Sequence, residues 1–151
     1  MRVLTMGSFD MLHPGHLGLF AWCKQIAGDG ELIVTVNTDE FITRFKTKPR
    51  YTTQERTAMV QALKGVDRVE VNTGLDQPSL ILSLHPDLIV IGSDWARKDY
   101  LAQLQIDQDW LDAHGIGLAY VPRTGAWSST ELRARQSSSS GIIDSDNKPD
   151  R

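Results

Sequence analysis

Short apolar runs alternate along the chain with amphipathic stretches, and glycine, proline and polar turns separate them. "RVLTMG" reads as a buried strand ending in glycine. From about Gly15 to Ala27, Leu19, Phe20, Cys23, Ile26 and Ala27 recur at helical spacing. "GDGELIVTVN" is a glycine turn running into a β-branched strand. "TDEFITRFKTKPR" predicts a short helical turn and then a basic loop. In "YTTQERTAMVQALKGVD", Thr52 and Glu55 have capping-box spacing, and Met59, Val60 and Leu63 form an apolar stripe. The strand "RVEV", the helix "PSLILSL" and the strand "DLIVIG" follow. A helical stretch from about Lys98 to His114, broken near Ile106, leads to the strand "GLAYVP". A loop then opens a last helix near "SSTELRARQ". The final segment, 137–151, is serine-rich and charged with almost nothing to bury, which predicts a disordered tail behind a single domain over 1–136.

Strands alternating with helices predict βαβ crossovers: an α/β, Rossmann-like fold with an open parallel sheet and helices on both faces. Ligands in such folds bind beyond the carboxyl ends of the strands, where strand order reverses. Polar motifs stand at those places. "GSFD" follows the first strand, "GSDW" follows "DLIVI", and "PRTGAWSST" follows "GLAYV". Three loops therefore converge on one edge of the sheet.

Composition narrows the class. Of 151 residues, 40% are apolar and 23% charged, the balance of an ordinary soluble domain. The net charge of −3 gives no general attraction to nucleic acid or to an anionic membrane. A single cysteine, Cys23, excludes an internal disulfide and a Cys-rich metal cluster, and its apolar neighbours predict a buried, inert thiol. No apolar run reaches membrane-spanning length, and the chain opens directly on a strand with no room for a signal peptide, so the cytoplasm is the expected compartment.

The candidate chemistry centres on His13-Pro14-Gly15-His16, where the first strand gives way to the first helix. Gly15 permits close approach of a ligand, and Pro14 suits a first helical turn. The unpaired N–H groups there attract an anion. Two imidazoles add donors that stabilise negative charge growing on a departing pyrophosphate. A plain turn with two exposed histidines is the bland alternative. Zinc is disfavoured, since the pair lacks Asp, Glu or Cys at zinc spacing.

Taken together, "GSFDMLHPGH", "RYTTQERTAMVQALKGVD", "GSDW" and "PRTGAWSST" resemble the nucleotidyltransferase superfamily with the HxGH signature. Within it, they are most similar to the glycerol-3-phosphate cytidylyltransferase branch. The resemblance covers about positions 2 to 136. It implies transfer of CMP from CTP to a small phosphorylated alcohol such as glycerol 3-phosphate, with Mg²⁺, and a homodimer. It casts His13 and His16 as the pair that stabilises the triphosphate, with Lys46 and Arg123 as catalytic partners. Gly7, Ser8, Phe9, Asp10 and Gly15 form the turn against the nucleotide, although Asp10 also suits a turn or cap. Arg123, Thr124, Ser128, Ser129 and Thr130 cradle phosphate at the last helix, where Ser128 and Glu131 also have capping-box spacing. The basic loop places Arg44, Lys46, Lys48 and Arg50 on one side if extended. It is either solvated or a flap in which Lys46 and Lys48 reach phosphate. Arg56 and Lys64 are assigned to substrate phosphate or the dimer interface, with a surface ion pair as the plainer reading of Arg56. Asp94 accepts from the exocyclic amine of the base, and Trp95 closes the base pocket or packs the core. The same superfamily contains adenylyltransferases acting on flavin, pantetheine or sugar-phosphate acceptors, and a non-catalytic nucleotide-binding protein is the third reading.

Overall fold

The computed structural model describes residues 1–123; the expected last helix and tail lie outside the described residues. Five parallel strands form one sheet: β1 (Val3–Gly7), β2 (Leu32–Asn37), β3 (Arg68–Asn72), β4 (Leu88–Gly92) and β5 (Gly117–Val121). Their order is β3-β2-β1-β4-β5. The chain thus winds outward from β1 in one direction, then crosses back to β4 on the other side. That reversal opens a crevice at the C-terminal ends of β1 and β4.

Burial explains the strand sequences. β2 is buried along its whole length and β4 at its centre, as their continuous apolar runs require when helices cover both faces. β3 and β5 occupy the edges and carry Arg68, Glu70 and Tyr120. On one face, Val3, Leu32, Val34, Val36 and Val90 pack beneath α1 (Pro14–Ala27) and α3 (Thr53–Gln61). On the other face, Leu4, Met6, Ile33, Ile89 and Ile91 meet α4 (Gln77–Leu84), α5 (Tyr100–Gln103) and α6 (Gln108–His114). Cys23 is fully buried in the first layer, and burial pushes its thiol up to about 12, so it is inert.

The short helix α2 (Asp39–Thr43) follows β2 as the pattern predicts. The Thr52–Glu55 capping box opens α3, with both reciprocal bonds formed. Two expectations change here. α3 stops at Gln61, short of the predicted span, and Met59 is exposed; Val60 and Leu63 do pack on the core, and Arg56 joins Val60 as a buried residue of the helix. The predicted break near Ile106 separates α5 from α6, with Gln105 at φ 65° and Asp107 capping the second helix.

Candidate active site

The turn after β1 builds the first wall of the site. His13 is the N-cap of α1, and its Nδ1 accepts from the Gly15 N–H at 3.1 Å. Three residues on, His16 Nδ1 accepts from the His13 N–H at 3.3 Å. The two imidazoles therefore form a capping box, a task usually given to Ser or Thr with Glu or Gln. Their rings stack with centroids 3.8 Å apart. Because each Nδ1 accepts a backbone N–H, the proton of each neutral ring resides on Nε2. Burial, reinforced by the neighbouring His13, lowers the His16 pKa to about 3, against a smaller opposing pull from Asp10. Near neutral pH His16 is an uncharged donor.

Phe9 holds this pair in place. It occupies the left-handed region at φ 50°, and its ring packs on Phe20 and edge-on to His16 at 5.5 Å. Gly7 makes room for it, since a Cβ there would lie 2.9 Å from the Phe9 ring. Asp10 performs the turn role rather than reaching out alone. Its carboxylate accepts the N–H groups of Arg50 and Tyr51 at 2.9 and 3.1 Å, tying the end of the basic loop to the β1 turn.

These residues open onto a cavity of about 620 Å³, within the usual range for small-molecule sites, ~300–1,000 Å³. Gly7, Ser8, Phe9, Asp10, His13, Gly15, His16, Lys46, Asp94, Trp95 and Arg123 all line it. The β1, β4 and β5 loops thus meet at one crevice, with Lys46 joining from the basic segment. Thr124, Ser128, Ser129 and Thr130 lie outside the described residues.

Three of the expected substrate residues are placed elsewhere. Arg56 is 1% exposed, and its five N–H groups are all taken up by the protein. Nε donates to the Tyr51 carbonyl, Nη1 to the carbonyls of Ser8 and Asn37, and Nη2 to Asp39 and Thr53. It is a strut beneath the site, and its ion pair with Asp39 is not a surface one. Lys64 is exposed in the turn between α3 and β3, at the end of the sheet where strands begin. Lys48 is exposed and does not line the cavity. The alternate-residue picture of the basic loop fails because Arg44 caps α2 in helical conformation and lies over Phe41, which leaves Lys46 as the lysine of that loop facing the cavity.

Trp95 combines its two readings. It is half-buried, lines the cavity, packs on Tyr100 at 5.2 Å, and carries Lys98 Nζ 5.0 Å above its ring. Sequence reasoning missed the polar wall opposite. Asn37 and Asn72 end β2 and β3 in register, and Gln77 opens α4; all three are buried and line the cavity. The signal was available in the sequence, because the predicted strands β2 and β3 both end in asparagine where the ligand edge begins.

Comparison with known proteins agrees with this geometry. The Cytidylyltransferase-like family matches residues 4–143. An FAD synthase from Methanopyrus kandleri is 42% identical over 94 residues, 62% of this chain and 63% of that protein. The chain thus spans slightly less than two thirds of that relative. An FAD synthase from Korarchaeum cryptofilum is 34% identical over 137 residues, 89% of this chain and 90% of that protein. Among solved structures, a lipopolysaccharide core biosynthesis protein from Thermoplasma volcanium superposes with a TM-score of 0.67 at 31% identity, covering 82% of this chain and 96% of that one. A macrolide-efflux protein from Streptococcus pneumoniae, at 18% identity and a TM-score of 0.62, shares the fold over 89% of this chain and 51% of that one. The strand order, the histidine turn and the family match over most of the chain give one result: this chain belongs to the cytidylyltransferase-like family of nucleotidyltransferases.

Proposed function

We propose that the protein transfers AMP from ATP to the phosphate of FMN, giving FAD and pyrophosphate. The observation that carries nucleotidyl transfer is the histidine capping box: two stacked, Nε2-protonated imidazoles at a helix N-terminus on the cavity wall. The acceptor is argued from the cavity and the relatives. Phe41, Ile42, Trp95, Tyr100 and Leu104 line one part of the cavity. Phe41, Ile42, Tyr100 and Leu104 are already buried, so the apolar surface left for a flat ring to cover is mainly that of half-buried Trp95. Two similar proteins are named FAD synthase, which favours this pair of substrates over the CTP and small phosphorylated alcohol expected from sequence. Asp94 suits the exocyclic amine of adenine or of cytosine.

The reaction needs positioning and charge stabilisation more than proton transfer. An oxygen of the acceptor phosphate, already anionic, attacks the α-phosphorus of the triphosphate in line. The new oxygen–phosphorus bond forms as the bond to the β-bridging oxygen breaks, and pyrophosphate leaves with the electron pair. His13 and His16 donate from Nε2 to the oxygens gaining charge, and Lys46 and Arg123 hold phosphate across the cavity. Neutral donors stabilise the growing charge without the permanent attraction that would retain the product. Among the described residues no three His, Cys, Asp or Glu side chains gather to hold a metal. A hydrated Mg²⁺ held mainly by the triphosphate oxygens would suit such a site without a protein cage. So bound, it would supply neutralisation of charge on the leaving group. The reading includes a homodimer in the cytoplasm; among the described residues no helix is long and apolar enough to cross a membrane.

A matrix of ATP and CTP against FMN and glycerol 3-phosphate, with Mg²⁺, tests the reading by pyrophosphate release and product mass. ATP with FMN is expected to give FAD. Turnover only with CTP and glycerol 3-phosphate would restore the cytidylyltransferase reading. Nucleotide binding with no turnover in any combination would favour a binding protein.

A further inference from the structure

Three polar groups on the cavity wall keep hydrogen-bonding capacity that the protein does not use. Tyr100 is 3% exposed and lines the cavity, yet its buried hydroxyl has no partner among the described residues. Gln77 Nε2 donates to the Gln103 carbonyl at 2.7 Å, and Asn37 Nδ2 donates to Ser8 Oγ at 3.3 Å. Each amide nitrogen carries two hydrogens, so each has a second donor.

The orientation of these amides is fixed by the backbone. Asn72 Oδ1 accepts the Gly74 N–H at 3.0 Å, which turns Asn72 Nδ2 toward Asn37 Oδ1 and Gln77 Oε1. Those two oxygens are thereby occupied, and the nitrogens of Asn37 and Gln77 become the donating ends. Gln77 is pinned again through its backbone N–H, which donates to Gln105 Oε1 at 3.0 Å. Buried polar groups are costly when unmatched, and a wall held this rigidly is preorganised to meet a ligand. Its chemistry is neutral. Phosphate is served by the histidines, Lys46 and Arg123, so amide N–H groups and a phenol beside Trp95 suit carbonyl oxygens on a flat ring.

Resting on the FMN reading above, we infer that Asn37, Gln77 and Tyr100 are specificity-determining residues that hydrogen-bond the carbonyl-bearing edge of the acceptor's ring. Substituting Gln77 would also cut its bonds to Asn72 and Gln103, so Tyr100→Phe is the sharper probe. It removes one hydroxyl that the protein leaves unpaired. Flavin fluorescence titration in the presence of Mg²⁺ and a non-hydrolysable ATP analogue measures FMN affinity, and thermal melting measures stability.

Tyr100→Phe is expected to weaken FMN binding about 5- to 10-fold, with ATP KM unchanged and Tm equal or higher. N3-methyl FMN, whose methyl group blocks the same edge, is expected to bind the unaltered protein at least as weakly. FMN affinity within twofold in Tyr100→Phe, or an equal loss for ATP, would overturn the inference and leave the functional reading standing. Failure of the unaltered protein to bind FMN at all would overturn both.

Discussion

Two basic devices lie on either side of the β1 turn, and they treat charge in opposite ways. His13 and His16 are three residues apart, cap their own helix turn and line the cavity, and burial keeps His16 neutral. Arg56 carries a permanent charge and is fully buried, and its bonds reach residues from Ser8 to Thr53. The histidine turn thus offers the ligand an uncharged imidazole donor, whereas the Arg56 guanidinium is locked into the scaffold. A guanidinium with five protein partners has nothing left to offer a phosphate. Its work is to hold the Ser8 carbonyl, the end of β2 and the start of α3 in one arrangement, so that the histidine turn meets the cavity in the right place.

The comparison breaks most sharply on the structural side. Arg56→Leu removes the charge that Asp39 faces and strands the Ser8 and Asn37 carbonyls. The expected loss is about 3–5 kcal/mol of stability in urea denaturation, enough to unfold much of a marginal domain. Retention of full stability would show that the strut is dispensable. Next in size, His16→Ala should lower kcat about 10²–10³-fold while costing roughly 1 kcal/mol of stability through the lost half of the capping box. Steady-state kinetics paired with denaturation reads both, and an unchanged kcat would remove the histidine pair from the mechanism.

The smallest effect concerns pH. The His16 pKa is lowered in the folded chain to about 3 from an unfolded value of 6.5. Between those values the unfolded state binds the extra proton, so stability is full above pH 6.5 and declines as pH falls toward 3. Imidazole NMR of the free protein is expected to show His16 as the Nε2–H tautomer, untitrated from pH 8 to 5. His16→Asn should flatten the fall in Tm between pH 6.5 and 5 relative to the unaltered chain. A ring that titrates near 6.5 would return the pair to the role of an ordinary exposed turn.

How much of this was legible beforehand depends on the range of the interaction. Pro14 at the first helical position and the Thr52–Glu55 box are local patterns, and both elements start where the sequence places them. Convergence of the three loops followed from fold logic, since all parallel strands deliver their C-terminal ends to one edge. Arg56 was misjudged because charge and spacing give no sign of which partners a long side chain will find, and Lys64 and Lys48 do not line the cavity. Lys64 lies beyond the end of α3, and a helix running away from the ligand edge carries its last residues to the far end of the sheet.

The sequence by itself determined the α/β class, the order of elements and the identity of the histidine turn, because periodicity, caps and strand-end motifs act over a few residues. Tertiary structure alone decided that Arg56 is a strut, that Asp10 ties down the basic loop, and that Asn37, Asn72 and Gln77 form one wall. Those roles come from partners up to 48 residues apart along the chain. Only closure of the sheet and packing of its helices bring such groups within hydrogen-bonding distance.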